Sequence, residues 1–241
     1  MQTAGTKGDL PGPTRELMSH FEPEFLRFFR GLTRRNTREW YQAHKAEYER
    51  FVKEPFALFV GEMIERITAI DPGMRCEPAE AIFRLARDTR FSKDKTPYKT
   101  HAGAVIAPDG RKTRRAAFYF ELSAGGVGIA TGVYQPDPDQ LFAIREAIRD
   151  DGATLERLAK DRAFRRICGT IQGDRNVRLP PAVADAAARF PLLYHKQFYT
   201  WVEYDDPNTV LRRDLAPLLV RHYRAARAVN AWLDKALIRT A

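Results

Sequence analysis

Apolar positions recur with a helical period from Phe21 onward. In FEPEFLRFFRGL they fall at 21, 25, 28, 29 and 32, with Pro23 in the first turn and Gly31 near the end, the spacing of a helix that buries one face. The following stretch, from Asn36 to Gly73, predicts a longer helical region. Asn36, with Glu39 three residues on, has the form of a capping box. Pro55 splits or kinks the region, because its ring removes a backbone donor and clashes with the preceding turn, and Asp71-Pro72-Gly73 ends it.

Between Ala81 and Tyr134 the period changes. AIFRLAR (81–87), GAVIAP (103–108), RAAFYFELS (115–123) and VGIATGVY (127–134) are short runs bounded by Gly, Pro and Asp, and they predict strands. Ala124-Gly125-Gly126 and Asp109-Gly110 suit turns. Helical spacing returns with apolar residues at 141, 142, 144, 147 and 148, behind Asp137 as cap and Pro138 as first helical residue. Shorter helices near 153–168, a loop over about 169–181, a short Ala-rich helix, a strand at 196–204 and an amphipathic helix from Asp214 to about Arg239 complete the reading. Helices, then strands, then helices predict an α+β fold, with a mainly antiparallel central sheet flanked by N-terminal and C-terminal helices. Residues 1–19, rich in Gly, Pro and Thr, read as a disordered tail, and 20–241 as one domain.

Composition adds little until charge is placed along the chain. Hydrophobic residues are 44% and charged ones 29%, which is ordinary for a globular protein. No apolar run approaches the roughly 18 to 20 residues that span a bilayer, and the first twenty residues lack a cationic head followed by an apolar stretch. The expected location is cytoplasmic, with no membrane span. Cys76 and Cys168 form no C-x-x-C pair, and His20, His44, His101, His195 and His222 show no ligand spacing, so neither a disulfide framework nor a zinc site is expected. The formal charge of +9 points to acidic partners. Residues 84–115 hold ten Lys/Arg against three acids, a net seven positive charges of that +9.

The centre of that region is RDTRFSKDKTPYKTH, residues 87–101. Phosphoryl and carboxylate groups are held by guanidinium forks, lysine charges and hydroxyls converging on one place, and this stretch supplies all three. Arg84, Arg87, Arg90, Lys93, Lys95 and Lys99 are the candidate cations, and Ser92 and Tyr98 the candidate hydrogen-bond donors. Asp88 would orient an arginine or, with His101, carry a proton. As a strand, 81–87 would send Arg84 and Arg87 to opposite faces. The bland alternative is that the charges form a solvated ion-pair lattice, with each exposed pair contributing about 0 to 1 kcal/mol. Trp40, Tyr41 and Tyr48 could offer stacking surfaces, but aromatics at these helical offsets are more often core. Walker, G-x-S-x-G and Rossmann patterns are absent. GGVGIATG lacks the Lys-Ser/Thr ending and following helix of a phosphate loop, so its glycines are expected to serve a turn and close strand packing. No cofactor or metal is called for.

IFRLARDTRFSKDKTPYKTHAGAVI (82–106) resembles the signature of domain-of-unknown-function family 2461, and the similarity runs from about Phe25 to the C-terminal helix. NTREWYQAHKAEY (36–48), GGVGIATGVYQPDPDQLFAIREAI (125–148) and Leu192–Phe198 with Lys196 resemble it as well. Thr37 stands where a second Asn is common there and Tyr41 where Phe is common; the stretch 178–190 is less similar. The resemblance implies boundaries and a motif but no reaction. Three readings therefore stand: binding of a phosphate-bearing ligand, nucleotide or nucleic acid through 84–101; a metal-independent enzyme acting on a phosphoester or acidic small molecule; and an interaction protein in which the motif is an ion-paired staple. The sequence sets no oligomeric state.

Overall fold

The structure, a computed structural model, describes residues 19–90 and 92–238. All but the last residue of the expected tail lies outside them. The first apolar stripe forms α1, Pro23–Arg34, which buries Phe25, Leu26, Phe28, Phe29 and Leu32. The next helix, α2 (Arg38–Ala43), begins one residue later than expected: Thr37 is its cap, with Oγ1 accepting from the Trp40 N–H at 3.2 Å. Asn36 is therefore released for another task. α3 (Lys45–Tyr48) runs through a π-helical turn, Glu49–Lys53, into α4, Glu54–Thr68. Pro55, in the first turn of α4, has no N–H for the carbonyl four residues back, and the widened turn lies just ahead of it.

A four-stranded antiparallel sheet follows the short helix α5, Pro78–Ala81. Its strands are β1 (His101–Ile106), β2 (Ala117–Ser123), β3 (Gly126–Val133) and β4 (Phe198–Tyr204), in the order β1-β2-β3-β4. Residues 81–87, expected as a strand, do not form one. Beyond α5 this segment makes only isolated bridges, Ile82 to Ala104 and Ala86 to Tyr98. The stretch opposite it contains Pro97, which has no N–H to give a ladder. Two backbone bonds of 2.9 Å, Arg87 N–H to the Pro97 carbonyl and Lys99 N–H to the Leu85 carbonyl, close the motif on itself.

Between β3 and β4 lie α6 (Pro138–Ala159), α7 (Arg162–Cys168) and α8 (Pro181–Ala184). Asp137 caps α6 as expected, and its Oδ1 accepts from the Gln140 N–H at 2.9 Å. The helix runs further than the sequence suggests, through a kink at Asp151 (φ −140°, ψ 33°). The C-terminal helix is α9, Leu215–Ile238.

Alternation along β2 decides which face of the sheet is covered. Phe118, Phe120 and Leu122 are fully buried, with Phe59 of α4 edge-on to Phe120 at 5.7 Å and Tyr223 of α9 edge-on to Phe118 at 5.7 Å. A second apolar cluster, including Ile144, Ile148, Phe164 and Leu233, fills the space among α6, α7 and α9. The glycines of β3 serve close strand packing: Gly126 has φ 138°, and a Cβ there would lie 1.9 Å from the Tyr204 carbonyl. Tyr119 and Glu121, at the alternate positions of β2, face the other way and are half-buried.

Candidate functional site

The motif is fixed from outside by Asn36. Its Nδ2 donates to the Tyr98 carbonyl at 2.9 Å, and its Oδ1 accepts the Tyr98 N–H at 3.1 Å, so one side-chain amide satisfies both backbone groups as a neighbouring strand would. The Tyr41 ring stacks on Tyr98, with centroids 4.5 Å apart. Trp40 and Tyr48 both pack on Phe28, at 5.4 and 5.5 Å. Trp40 is thus a packing residue, while Tyr41 and Tyr48 also reach the cleft described below.

The far half of the loop is occupied with itself. Arg87 is ion-paired to Asp94 and donates to Thr96 Oγ1 at 3.1 Å; Asp94 Oδ1 accepts from the N–H and hydroxyl of Thr96 at 2.9 and 2.8 Å. Asp88 grips Arg90 with both oxygens, at 3.0 and 2.7 Å, and accepts the Arg90 N–H at 3.2 Å. These bonds from Arg90, helped by the charge of Arg84, hold the Asp88 carboxyl down at about 2. At neutral pH Asp88 is a carboxylate that orients an arginine, and its low pKa makes it a weak base. Lys95 Nζ donates to the Thr89 carbonyl at 2.8 Å. Lys93 is exposed and Ser92 half-buried, and neither lines the cleft.

The near half opens on a cleft of about 1120 Å³ between the motif, the α3–α4 region and the edge of β1, lined by Arg84, Asp88, Tyr98, Lys99 and His101 together with Phe83, Tyr41, Tyr48, Lys53 and Arg111. Five of the ten residues expected at the site therefore meet there, and Arg87, Arg90, Ser92, Lys93 and Lys95 do not. Lys99 Nζ stands 4.5 Å over the Phe83 ring, and the Arg111 guanidinium lies 6.0 Å from the same ring. Arg111 is anchored by backbone carbonyls, Ala79 at 3.0 Å and Ile82. Among the described residues, no carboxylate lies within ion-pairing distance of Arg84, Lys99 or Arg111. Burial pushes the Lys99 ammonium below its usual pKa; Arg84 and Arg111 push it further, Glu121 opposes them, and Arg87 adds a smaller push.

Glu121, Tyr119 and Arg111 are the site residues that sequence reasoning missed. Glu121 pairs with Gly103 across β1–β2, which makes it the diagonal neighbour of His101. Its Oε2 lies 3.5 Å from His101 Nε2 and accepts the Tyr119 hydroxyl. Gly103 makes room for this contact, since a Cβ there would come within 2.9 Å of the Tyr119 oxygen. Burial lowers the His101 pKa; Glu121 opposes the shift, and Lys99 and Arg87 add to it. The signal for Glu121 was present in FYFELS, where period two puts 119 and 121 on one face; its closeness to His101 depends on strand register.

Among the described residues, no group of three or more His, Cys, Asp or Glu is arranged to hold a metal ion, and no helix is long and apolar enough to cross a membrane. A family model described as "Conserved hypothetical protein (DUF2461)" matches residues 24–232. No curated protein and no solved structure matches the chain.

Proposed function

The chain belongs to the DUF2461 family of conserved hypothetical proteins, and from the chemistry of its cleft we propose that it binds a phosphate-bearing ligand of nucleotide type. The observation that carries this reading is the cluster Arg84, Lys99 and Arg111. Three cations border one cleft without a carboxylate partner among the described residues, and the Lys99 ammonium is destabilised first by burial and then by the other two. Like charges held together in a partly buried place are unfavourable until an anion arrives, and that anion recovers the repulsion as binding energy. Arg111 is held by two carbonyls and Lys99 by an aromatic face, so little side-chain freedom remains to be lost on binding. Phe83, Tyr41 and Tyr98 border the same space and offer apolar area to a base or sugar.

The staple reading applies to the other half of the motif, where Arg87–Asp94 and Arg90–Asp88 keep the loop in shape. The two readings divide the motif between them.

Titration of inorganic phosphate, 5′-AMP and a short single-stranded oligonucleotide into the full chain at two salt concentrations tests the proposal. Binding of phosphate or 5′-AMP should fall at least about tenfold in Arg84→Ala/Lys99→Ala, the scale expected for losing a charge-assisted contact, and should be unchanged in Lys93→Ala. A nucleic-acid partner would instead show the stronger ligand to be the oligonucleotide, with a log–log salt slope of about −0.7 per phosphate neutralised. No binding of any of the three at low salt, or equal losses in the double variant and Lys93→Ala, contradicts the proposal.

A further inference from the structure

The cleft contains more than is needed to hold an anion. His101 borders it beside Lys99, its Nε2 faces Glu121 at 3.5 Å, and that carboxylate is steadied by the Tyr119 hydroxyl. Among the described residues, Nδ1 of the same ring has no hydrogen bond and is not a buried atom. A carboxylate beside one imidazole nitrogen favours the tautomer with its proton on that side and leaves the other nitrogen as a proton acceptor. Three elements thus place an imidazole, with a carboxylate beside it, next to the cations that would hold a phosphoryl group.

Resting on the phosphate-binding reading, the geometry points to a reaction centre for phosphate-ester hydrolysis, with His101 as the catalytic base and Glu121 as its positioning residue. His101 Nδ1 takes a proton from a water molecule, and the water oxygen bonds to phosphorus as the ester P–O bond breaks. The proton then passes to the departing oxygen, so water is the only co-reactant and no electrons are exchanged. Lys99, Arg84 and Arg111 stabilise the charge that grows on the phosphoryl oxygens. The groups bearing on His101 are Glu121 and Tyr119 from β2 and Lys99 and Arg87 from the motif; the opposite wall adds Glu49 and Lys53, paired to each other at 2.6 Å.

The test measures p-nitrophenolate release from p-nitrophenyl phosphate and bis(p-nitrophenyl) phosphate by the full chain with a chelator present, alongside calorimetric titration with inorganic phosphate. Wild-type protein should hydrolyse at least one ester. His101→Gln should lower kcat at least about a hundredfold, the lower range for loss of a general base, while still binding phosphate. Glu121→Gln should lower kcat by less and move the acidic limb of the pH–rate profile to lower pH, because the carboxylate it removes raises the pKa of His101; a residue that only supports the fold would leave that limb in place. Phosphate binding without hydrolysis of either ester overturns the catalytic proposal and leaves the binding reading intact, and the wild-type result decides this even if a variant fails to fold. Undiminished kcat in His101→Gln, or an unmoved limb in Glu121→Gln, also overturns it. Where inorganic phosphate does not bind, absence of hydrolysis overturns the catalytic proposal, and the binding reading falls with it only if 5′-AMP and the oligonucleotide also fail to bind.

Discussion

Asn36 separates what composition suggests from what position decides. Its sequence context suits a helix cap, yet Thr37 takes that role, and the Asn36 amide instead holds both backbone groups of Tyr98. A cap and a backbone clamp use the same short polar side chain, so only the fold distinguishes them. Asn36→Ala removes two hydrogen bonds and should cost about 1 to 3 kcal/mol. The loss should appear as a lower melting temperature together with faster amide exchange at Tyr98; unchanged exchange there would show that the clamp does not fix the motif. Asp88 repeats the lesson. A charged residue inside a basic run is a candidate proton carrier on paper, but two bonds from Arg90 keep it ionised.

At the level of elements, four of the five expected strands and the main helices were legible, because alternation and helical period are properties of the chain itself. AIFRLAR failed for a reason that lies elsewhere in the chain, at Pro97, whose missing donor limits pairing to single bridges. Glu121 was hidden for a similar reason, since cross-strand neighbours follow from register and not from composition. Docking of α9 on β4 carries a pH signature. His222 of α9 is buried, its Nε2 meets the Tyr204 hydroxyl at 2.8 Å, and burial, assisted by Arg221, pushes its pKa down to about 4. The unfolded chain, with an ordinary histidine near 6.5, binds more protons between about pH 6.5 and 4, so stability falls as pH falls through that window. The loss from this residue should be roughly 3 kcal/mol. Denaturant melts at pH 7 and pH 4.5 should show it, and His222→Gln, which keeps a partner for Tyr204, should flatten the dependence. An equally steep dependence in that variant would assign the effect to other groups.

Over the whole molecule, the net charge of +9 is less informative than how its central block is spent. Arg87 and Arg90 are neutralised within the loop, while Arg114 pairs with Asp137 and Arg115 with Asp234, where they tie the start of β2 to α6 and α9. What remains is a smaller cluster than the sequence count suggests, but its members Arg84, Lys99 and Arg111 border one cleft. The basic run was visible before the fold was known; its division into ion-paired arginines and cations that border the cleft was not, because that depends on which acids reach which arginines. A cleft bordered by three cations makes a direct demand on Lys99. NMR titration of its ammonium group, with and without inorganic phosphate, reads this at the atom concerned. Lys99 should titrate below the ordinary lysine value of 10.5 in the free protein, with a pKa that rises when phosphate binds and does not rise in Arg84→Ala/Arg111→Ala. A Lys99 that titrates at the ordinary value and does not respond to phosphate would contradict the phosphate-binding reading.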